Sequence, residues 1–144
     1  FSYSAEGYLT GIVENIDDTE YSSTSLTYEN GDITSISSKM NGLENKFIYE
    51  PGEESSTYHL PCLGLLEIHP LTFHIEALYA GLLGKDPRHF TIRSCPAGSN
   101  DEKTIYSYEF DKKGNPSRMI CQTTYAGGQA SYYPYTRNIS ISFE

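Results

Sequence analysis

Few side chains in this 144-residue chain are of the kinds that carry chemistry, and their spacing argues against most reactions. The four histidines, His59, His69, His74 and His89, are the first candidates for a metal. His69 and His74 lie five apart, off the i and i+4 spacing that stacks two ligands on one helix face, and no H-E-x-x-H run is present. Glu14, Asp17, Asp18 and Glu20 gather hard oxygen donors near a turn, as calcium prefers. They lack the D-x-[DN]-x-[DN]-G order and the distal glutamate of a calcium loop, so a solvated hairpin end is the better reading. Glu50 with Glu53 or Glu54 offers paired carboxylates of the glycosidase type, but spacing alone does not set them across a cleft. No G-x-S-x-G elbow occurs, and no cysteine-centred signature accompanies His74 or His89. No glycine-rich loop follows a strand and opens a helix to cradle phosphate. The expectation is a chain that is not an enzyme, with no metal and no cofactor.

The tyrosines are the one set that points to binding. Tyr106, Tyr108, Tyr125, Tyr132, Tyr133 and Tyr135 crowd the C-terminal third, and each ring offers a flat apolar face with a polar tip. Exposed on adjacent strands they would stack sugar rings; turned inward they are cross-strand pairs that fill the sheet. The ligand-binding assignment rests on Tyr106, Tyr108, Tyr132, Tyr133 and Tyr135, with the loops at 51–56 and 98–103 as further contact surfaces.

What must position these residues is a repeated phrase: aromatic, polar, aromatic, a turn glycine, then apolar residues two and five places on. It reads Phe1-Ser2-Tyr3 with Gly7, Leu9 and Ile12, and returns at Leu26-Thr27-Tyr28 with Gly31, Ile33 and Ile36. A third copy runs from Tyr108-Glu109-Phe110 through Gly114, Pro116 and Met119. Such a phrase encodes a strand, a tight turn and the next strand. Strands are expected at about 1–4, 9–16, 22–29, 33–40, 46–50, 104–110, 117–125, 131–136 and 139–143, with turns at Asp17-Asp18, Asn30-Gly31 and Asn41-Gly42. Pro51-Gly52-Glu53-Glu54 reads as a looser fourth turn where the repeat has decayed. Between the two β regions, Leu71, Ile75, Leu78 and Leu82 form one stripe at helical spacing after Pro70. Gly84 and Pro87 would end that helix, expected at about 70–83 within an insertion at about 60–90. The whole is one domain over 1–144: a mainly β, curled antiparallel meander of roughly eight to ten strands, a partial or closed barrel-like sheet with the helix packed on or in it.

Charge excludes several partners. Ten Lys and Arg against nineteen Asp and Glu leave a formal charge of -9, which disfavours nucleic acid and anionic membrane surfaces. No apolar run approaches the roughly 20 residues of a membrane helix. Outward positions such as Ser35, Ser140 and Ser142 are polar, unlike the apolar band of a membrane barrel. The three cysteines, Cys62, Cys95 and Cys121, allow at most one internal disulfide, and buried thiols are the simpler reading. The sequence opens in mid-pattern at Phe1 without a signal peptide, which reads as a chain whose leader has been removed.

Two stretches carry a family likeness. The aromatic–glycine–aliphatic phrase resembles the tyrosine–aspartate hairpin repeats of large secreted proteins. Ala77-Leu78-Tyr79-Ala80-Gly81-Leu82-Leu83-Gly84-Lys85, followed by Asp86-Pro87-Arg88-His89-Phe90 and flanked by hairpins, is similar to a family of secreted lipoproteins of Bacteroidetes-type bacteria, a domain of unknown function described as having a porin-like fold. The chain departs from the pattern at 51–56 and at Pro116, which stands where an aliphatic residue is usual. The resemblance implies an antiparallel barrel-like sheet and an exported protein, periplasmic, anchored to the outer membrane as a lipoprotein, or at the cell surface. It carries no catalytic residues. The expected function is a noncatalytic envelope or secreted module that binds or scaffolds a glycan, a protein or a lipid. The alternatives are a carrier holding a lipophilic ligand in the curled sheet and, further off, a hydrolase.

Overall fold

The computed structural model describes residues 1–55, 77, 80–99, 101–125 and 135–140. Within them the chain is one antiparallel sheet. Its strands are β1 (Ser2–Tyr3), β2 (Leu9–Ile16), β3 (Thr19–Glu29), β4 (Asp32–Met40), β5 (Leu43–Ser55), β6 (His89–Pro96), β7 (Glu102–Phe110), β8 (Pro116–Tyr125) and β9 (Tyr135–Ser140). Each pairs with its neighbours in sequence, in the order β1-β2-β3-β4-β5-β6-β7-β8-β9. The first and last strands stand at opposite ends of that order and are not paired with each other among the described residues, so the described sheet is open.

Turn chemistry explains the meander. Asp17-Asp18, Asn30-Gly31 and Asn41-Gly42 are the two-residue loops closed by Ile16–Thr19, Glu29–Asp32 and Met40–Leu43. Both residues of each loop have positive φ, from 50° at Asp17 to 90° at Gly31, as a type I′ turn requires to match the strand twist. The third repeat copy turns by another device. The Asp111 carboxylate accepts the backbone N–H groups of Lys113 and Asn115, each at 2.8 Å, and the Asn115 side-chain amide at 3.0 Å. Asp111 N–H in turn donates to the Asn115 carbonyl at 2.7 Å.

Loop length fixes register, and register decides which side chains share a face. Leu26 lies opposite Ile36 and Ile36 opposite Phe47; the same face continues through Tyr49, Ser94, Thr104 and Thr123. Two apolar clusters form on this scaffold. Leu9, Leu26, Ile33, Ile36 and Tyr49 pack with Ala77 and Leu83, while Tyr106, Met119 and Cys121 pack together farther along. The opposite face is wet. It carries the cross-strand pairs Glu50–Arg93, 3.0 Å apart, and Glu109–Arg118, 3.2 Å apart, with the Arg118 guanidinium also donating to the Asn138 side chain. Exposed pairs of this kind add little stability, but they mark a solvated surface.

Several expectations change. The region 51–54 is not a turn: β5 runs on to Ser55, and between Pro51 and Ser55 it spends four steps against two on β6. Proline and glycine are accommodated there by a bulge rather than a reversal. Strand β6 was unexpected, although Phe90, Ile92 and Ser94 alternate with Thr91, Arg93 and Cys95; the short run is overshadowed by the insertion before it. Strand β9 crosses the break expected between 136 and 139. Ser35 is buried, because Thr27 and Ile48 flank it in register and their larger side chains shade a single hydroxymethyl. The helix expected at 70–83 falls mostly on 70–76, 78 and 79, outside the described residues, as do Leu71, Ile75 and Leu78. Leu82, assigned to the buried stripe, is 39% exposed; Gly81 at φ 69° redirects the chain and Leu83 is buried instead. No helix of the described residues is long and apolar enough to cross a membrane.

Two outcomes follow from the turns. A Cβ on Gly31 would stand 2.8 Å from Arg88 Cδ and from the Tyr8 hydroxyl, whereas one on Gly42 meets nothing within 4 Å. Both replacements incur the left-handed strain of about 1–2 kcal/mol. Gly31→Ala should therefore destabilise by a further ~1–3 kcal/mol beyond Gly42→Ala in urea unfolding, through overpacking; equal losses would contradict the close approach. At Asp111 the Asn115 side chain, then the Asn115 and Lys113 backbone N–H groups, hold the carboxyl below the usual aspartate range. A folded value below the unfolded one gives stability that is present above the unfolded value and lost as pH falls through the folded one. Asp111→Asn should be less stable than wild type at neutral pH, and the gap in melting temperature should close below about pH 4.

Candidate functional site

The segment that returns the chain to the sheet between Leu82 and His89 crosses the end where the repeat glycines lie. Lys85 N–H donates to the Gly7 carbonyl at 2.8 Å and Arg88 N–H to the Gly31 carbonyl at 3.0 Å. These two acceptors are the same position of the first two repeat copies, so the repeat itself presents a matched pair of carbonyls to the crossing strap. The strap is fastened further by its side chains. The Arg88 guanidinium donates to the Asn30 carbonyl at 3.2 Å, and the Tyr3 hydroxyl donates to the Leu82 carbonyl at 2.8 Å. Asp32, almost wholly buried, accepts the His89 backbone N–H at 2.8 Å and lies 2.9 Å from His89 Nδ1. A carboxylate in that position holds the imidazole with a proton on Nδ1 and its Nε2 directed away.

Beside this strap lies an open groove of about 400 Å³. Ser4, Glu6, Tyr8, Thr10, Thr27 and Tyr28 line it, with Leu26 as apolar floor and Asn30-Gly31 at the rim. The rings of Tyr8 and Tyr28 are 4.9 Å apart and inclined at 33°, and the Lys85 ammonium sits 5.0 Å from the centre of the Tyr8 ring. Tyr8 is thus a buried partner to both, while Tyr28 is only partly covered. The Ser4 hydroxyl, then the Glu6 backbone N–H and the Lys85 charge, keep the exposed Glu6 carboxyl below the usual glutamate range. The groove is thus bordered by two tyrosines, by Ser4, Thr10 and Thr27, and by the ionised Glu6.

The described residues singled out from the sequence are not among those lining the groove. Tyr106 is 5% exposed, and its hydroxyl shares a buried hydrogen bond of 2.8 Å with Ser94 Oγ. It is a core residue, not a stacking platform. Tyr108 is half-buried against Phe90, ring centres 4.6 Å apart, and its hydroxyl donates to the Thr91 carbonyl at 2.8 Å. Tyr132 and Tyr133 lie outside the described residues, and of Tyr135 only the backbone, in β9, is described. His59, His69, His74 and Cys62 also fall outside. Cys95 is half-buried and Cys121 buried. Glu50 is engaged by Arg93, while Glu53 and Glu54 are exposed along β5. Glu14 accepts from the Ser22 hydroxyl, and Asp17-Asp18 form the β2–β3 turn. Among the described residues no three His, Cys, Asp or Glu side chains gather as a metal site would need.

Sequence reasoning missed Glu6, Tyr8, Tyr28 and Lys85. The available signal was the repeat: Tyr8 and Asp32 both follow its glycine directly, and both are buried under the strap.

The profile of a domain of unknown function with porin-like fold (DUF4595) matches residues 1–118. In three dimensions the chain is similar to a porin-like protein from Bacteroides uniformis known from a crystal structure, with a TM-score of 0.77 and 26% identity. The likeness covers 95% of this chain and 54% of that one, so the chain spans about half the length of that relative. No curated protein matches the chain.

Tyr106→Phe should cost about 1–2 kcal/mol, because it leaves the buried Ser94 hydroxyl short of a partner. Chemical denaturation checks this, and a neutral effect would mean that the Tyr106–Ser94 bond does not bear on the fold.

Proposed function

The chain belongs to the family described as a domain of unknown function with porin-like fold (DUF4595), and within that family we propose that it serves as a noncatalytic binding and scaffolding domain of an exported, envelope-anchored protein. The observation that carries this reading is the groove between the Gly7 and Gly31 turns. Its volume, about 400 Å³, falls within the range of small-ligand sites, and its lining mixes aromatic faces with a few polar groups. Supporting it is the character of the two sheet faces. One is occupied by the apolar clusters around Ile36 and Met119, and the other mixes exposed Ile48 and Ile105 with the pairs Glu50–Arg93 and Glu109–Arg118. A lipid-facing band would be apolar at those strand positions. The likeness to a porin-like protein is therefore taken as a likeness of sheet architecture, with this chain working in water against a partner at the cell envelope. The resemblance of the 77–90 segment to secreted lipoproteins supports an exported location and a lipid anchor.

A screen of the purified chain against immobilised glycans and peptides tests the assignment. Binding should be retained in Tyr106→Phe and weakened at least about tenfold by Tyr28→Leu, the loss of one aromatic contact in a small site. Copurifying lipid detected by mass spectrometry, with no groove-dependent ligand, would move the chain to the class of lipophilic carriers.

A further inference from the structure

We infer that Asn41-Gly42 is a site of spontaneous covalent modification, where the asparagine cyclises onto the next backbone nitrogen and becomes aspartate or isoaspartate, while the strap protects Asn30-Gly31 from the same reaction.

The reaction needs only the chain and water. The Gly42 backbone nitrogen gives up its proton and attacks the side-chain carbonyl carbon of Asn41. The bond from that carbon to Nδ2 breaks, and the amide nitrogen leaves as ammonia with the proton. What remains is a succinimide ring whose nitrogen bridges two carbonyls. Water then opens the ring on either side. Cleavage at the side-chain carbonyl gives aspartate; cleavage at the backbone carbonyl gives isoaspartate, with the chain rerouted through the β-carbon. Glycine at the following position favours the attack, because no side chain shields its nitrogen. Asn15, Asn45 and Asn138 precede Ile16, Lys46 and Ile139, whose side chains crowd that nitrogen. Asn115 precedes Pro116, which has no N–H to lose.

The two Asn-Gly turns are alike in geometry and differ in what lies on them. Asn30 and Asn41 are both exposed, with φ of 53° and 51°. Ring closure requires the asparagine side chain and the next nitrogen to eclipse about the Cα–C bond. A type I′ turn holds them far from that alignment, so the reaction waits for the turn to open. Opening at Gly31 breaks more than the hairpin. The Gly31 carbonyl accepts Arg88 N–H at 3.0 Å, and the Asn30 carbonyl accepts the Arg88 guanidinium at 3.2 Å. Arg88 and the Tyr8 hydroxyl also crowd the Gly31 Cα. At Gly42 a Cβ would meet nothing within 4 Å, and among the described residues no segment docks on this turn. It is closed by the pair Met40–Leu43, of which Leu43 is 74% exposed, so opening gives up little burial.

Conversion changes the hairpin as well as its charge. Either product adds a negative charge to a chain already at -9. Isoaspartate also inserts a backbone carbon into the loop whose length sets the Met40–Leu43 register.

The test incubates the full chain in warm, mildly alkaline buffer and follows each asparagine by peptide mapping with mass spectrometry. Labelling by isoaspartyl methyltransferase separates isoaspartate from aspartate. In the folded chain Asn41 should convert about tenfold faster than Asn30, which reflects the strap bonds that oppose opening. In concentrated urea the two should convert at similar rates. Arg88→Ala should speed conversion at Asn30 severalfold and leave Asn41 unchanged; Arg88 is exposed, and the wild-type comparison stands even if that variant loosens the fold. Equal rates at Asn30 and Asn41 in the folded chain, or an Asn41 as inert as Asn15, overturns the proposal. A difference that persists undiminished in urea belongs to the flanking residues and overturns the protective role of the strap.

Discussion

The absence of a side chain at Gly31 is the constraint on which this end of the molecule depends. The residue does three things at once. Its φ of 90° closes the two-residue turn between β3 and β4, its carbonyl receives Arg88 N–H, and its bare Cα lets Arg88 and the Tyr8 hydroxyl come close. A turn residue that served only the hairpin would need positive φ and nothing else, as Gly42 does. At Gly31 the same atom economy lets a distant segment dock over the turn. The strap then buries Asp32 and Tyr8, and Tyr8 supports Tyr28 in the groove wall. Local backbone geometry, long-range packing and the candidate site meet at one residue.

That linkage explains what could be read beforehand. The hairpin order was visible because Asp17-Asp18, Asn30-Gly31 and Asn41-Gly42 each demand a conformation few dipeptides tolerate, and loop length then dictates register. What failed were segments whose state depends on contacts far away. Pro51-Gly52 carries every local mark of a turn, yet β6 pairs across it and absorbs the excess as a bulge. His89–Pro96 is too short to announce a strand until β5 and β7 stand on either side. The site was hidden for the same reason, because Glu6 and Tyr28 are twenty-two positions apart and joined only by the β2–β3 register and the strap.

The strap also gives meaning to the segment that bears the family likeness. Lys85, Arg88 and His89 were conspicuous as a pattern without a physical role. Their backbone N–H groups fall on Gly7 O, Gly31 O and Asp32 Oδ1 in turn. A repeat that twice presents a turn carbonyl to the same segment creates two docking points, and the bent stretch from Lys85 to Arg88 reaches both. The third repeat copy has no such partner among the described residues. Its turn is closed from within by Asp111 and Asn115.

This difference between repeat ends also separates the two groups of tyrosines. On β7, Tyr106 and Tyr108 turn inward, and each finds a partner for its hydroxyl, Ser94 Oγ and the Thr91 carbonyl. Inward burial is then favourable, because the ring gains apolar contact and the polar tip loses nothing by leaving water. These two bonds also bridge a thin place in the sheet, where β6 and β7 share only the register pairs Arg93–Ile105 and Ser94–Thr104. At the N-terminal end the strap satisfies the Gly7 and Gly31 carbonyls and Asp32, and Tyr8 is buried against Tyr28 and Lys85. Tyr28 packs half-buried against the core cluster and the Tyr8 ring. An aromatic side chain so placed is held by its neighbour yet still borders solvent.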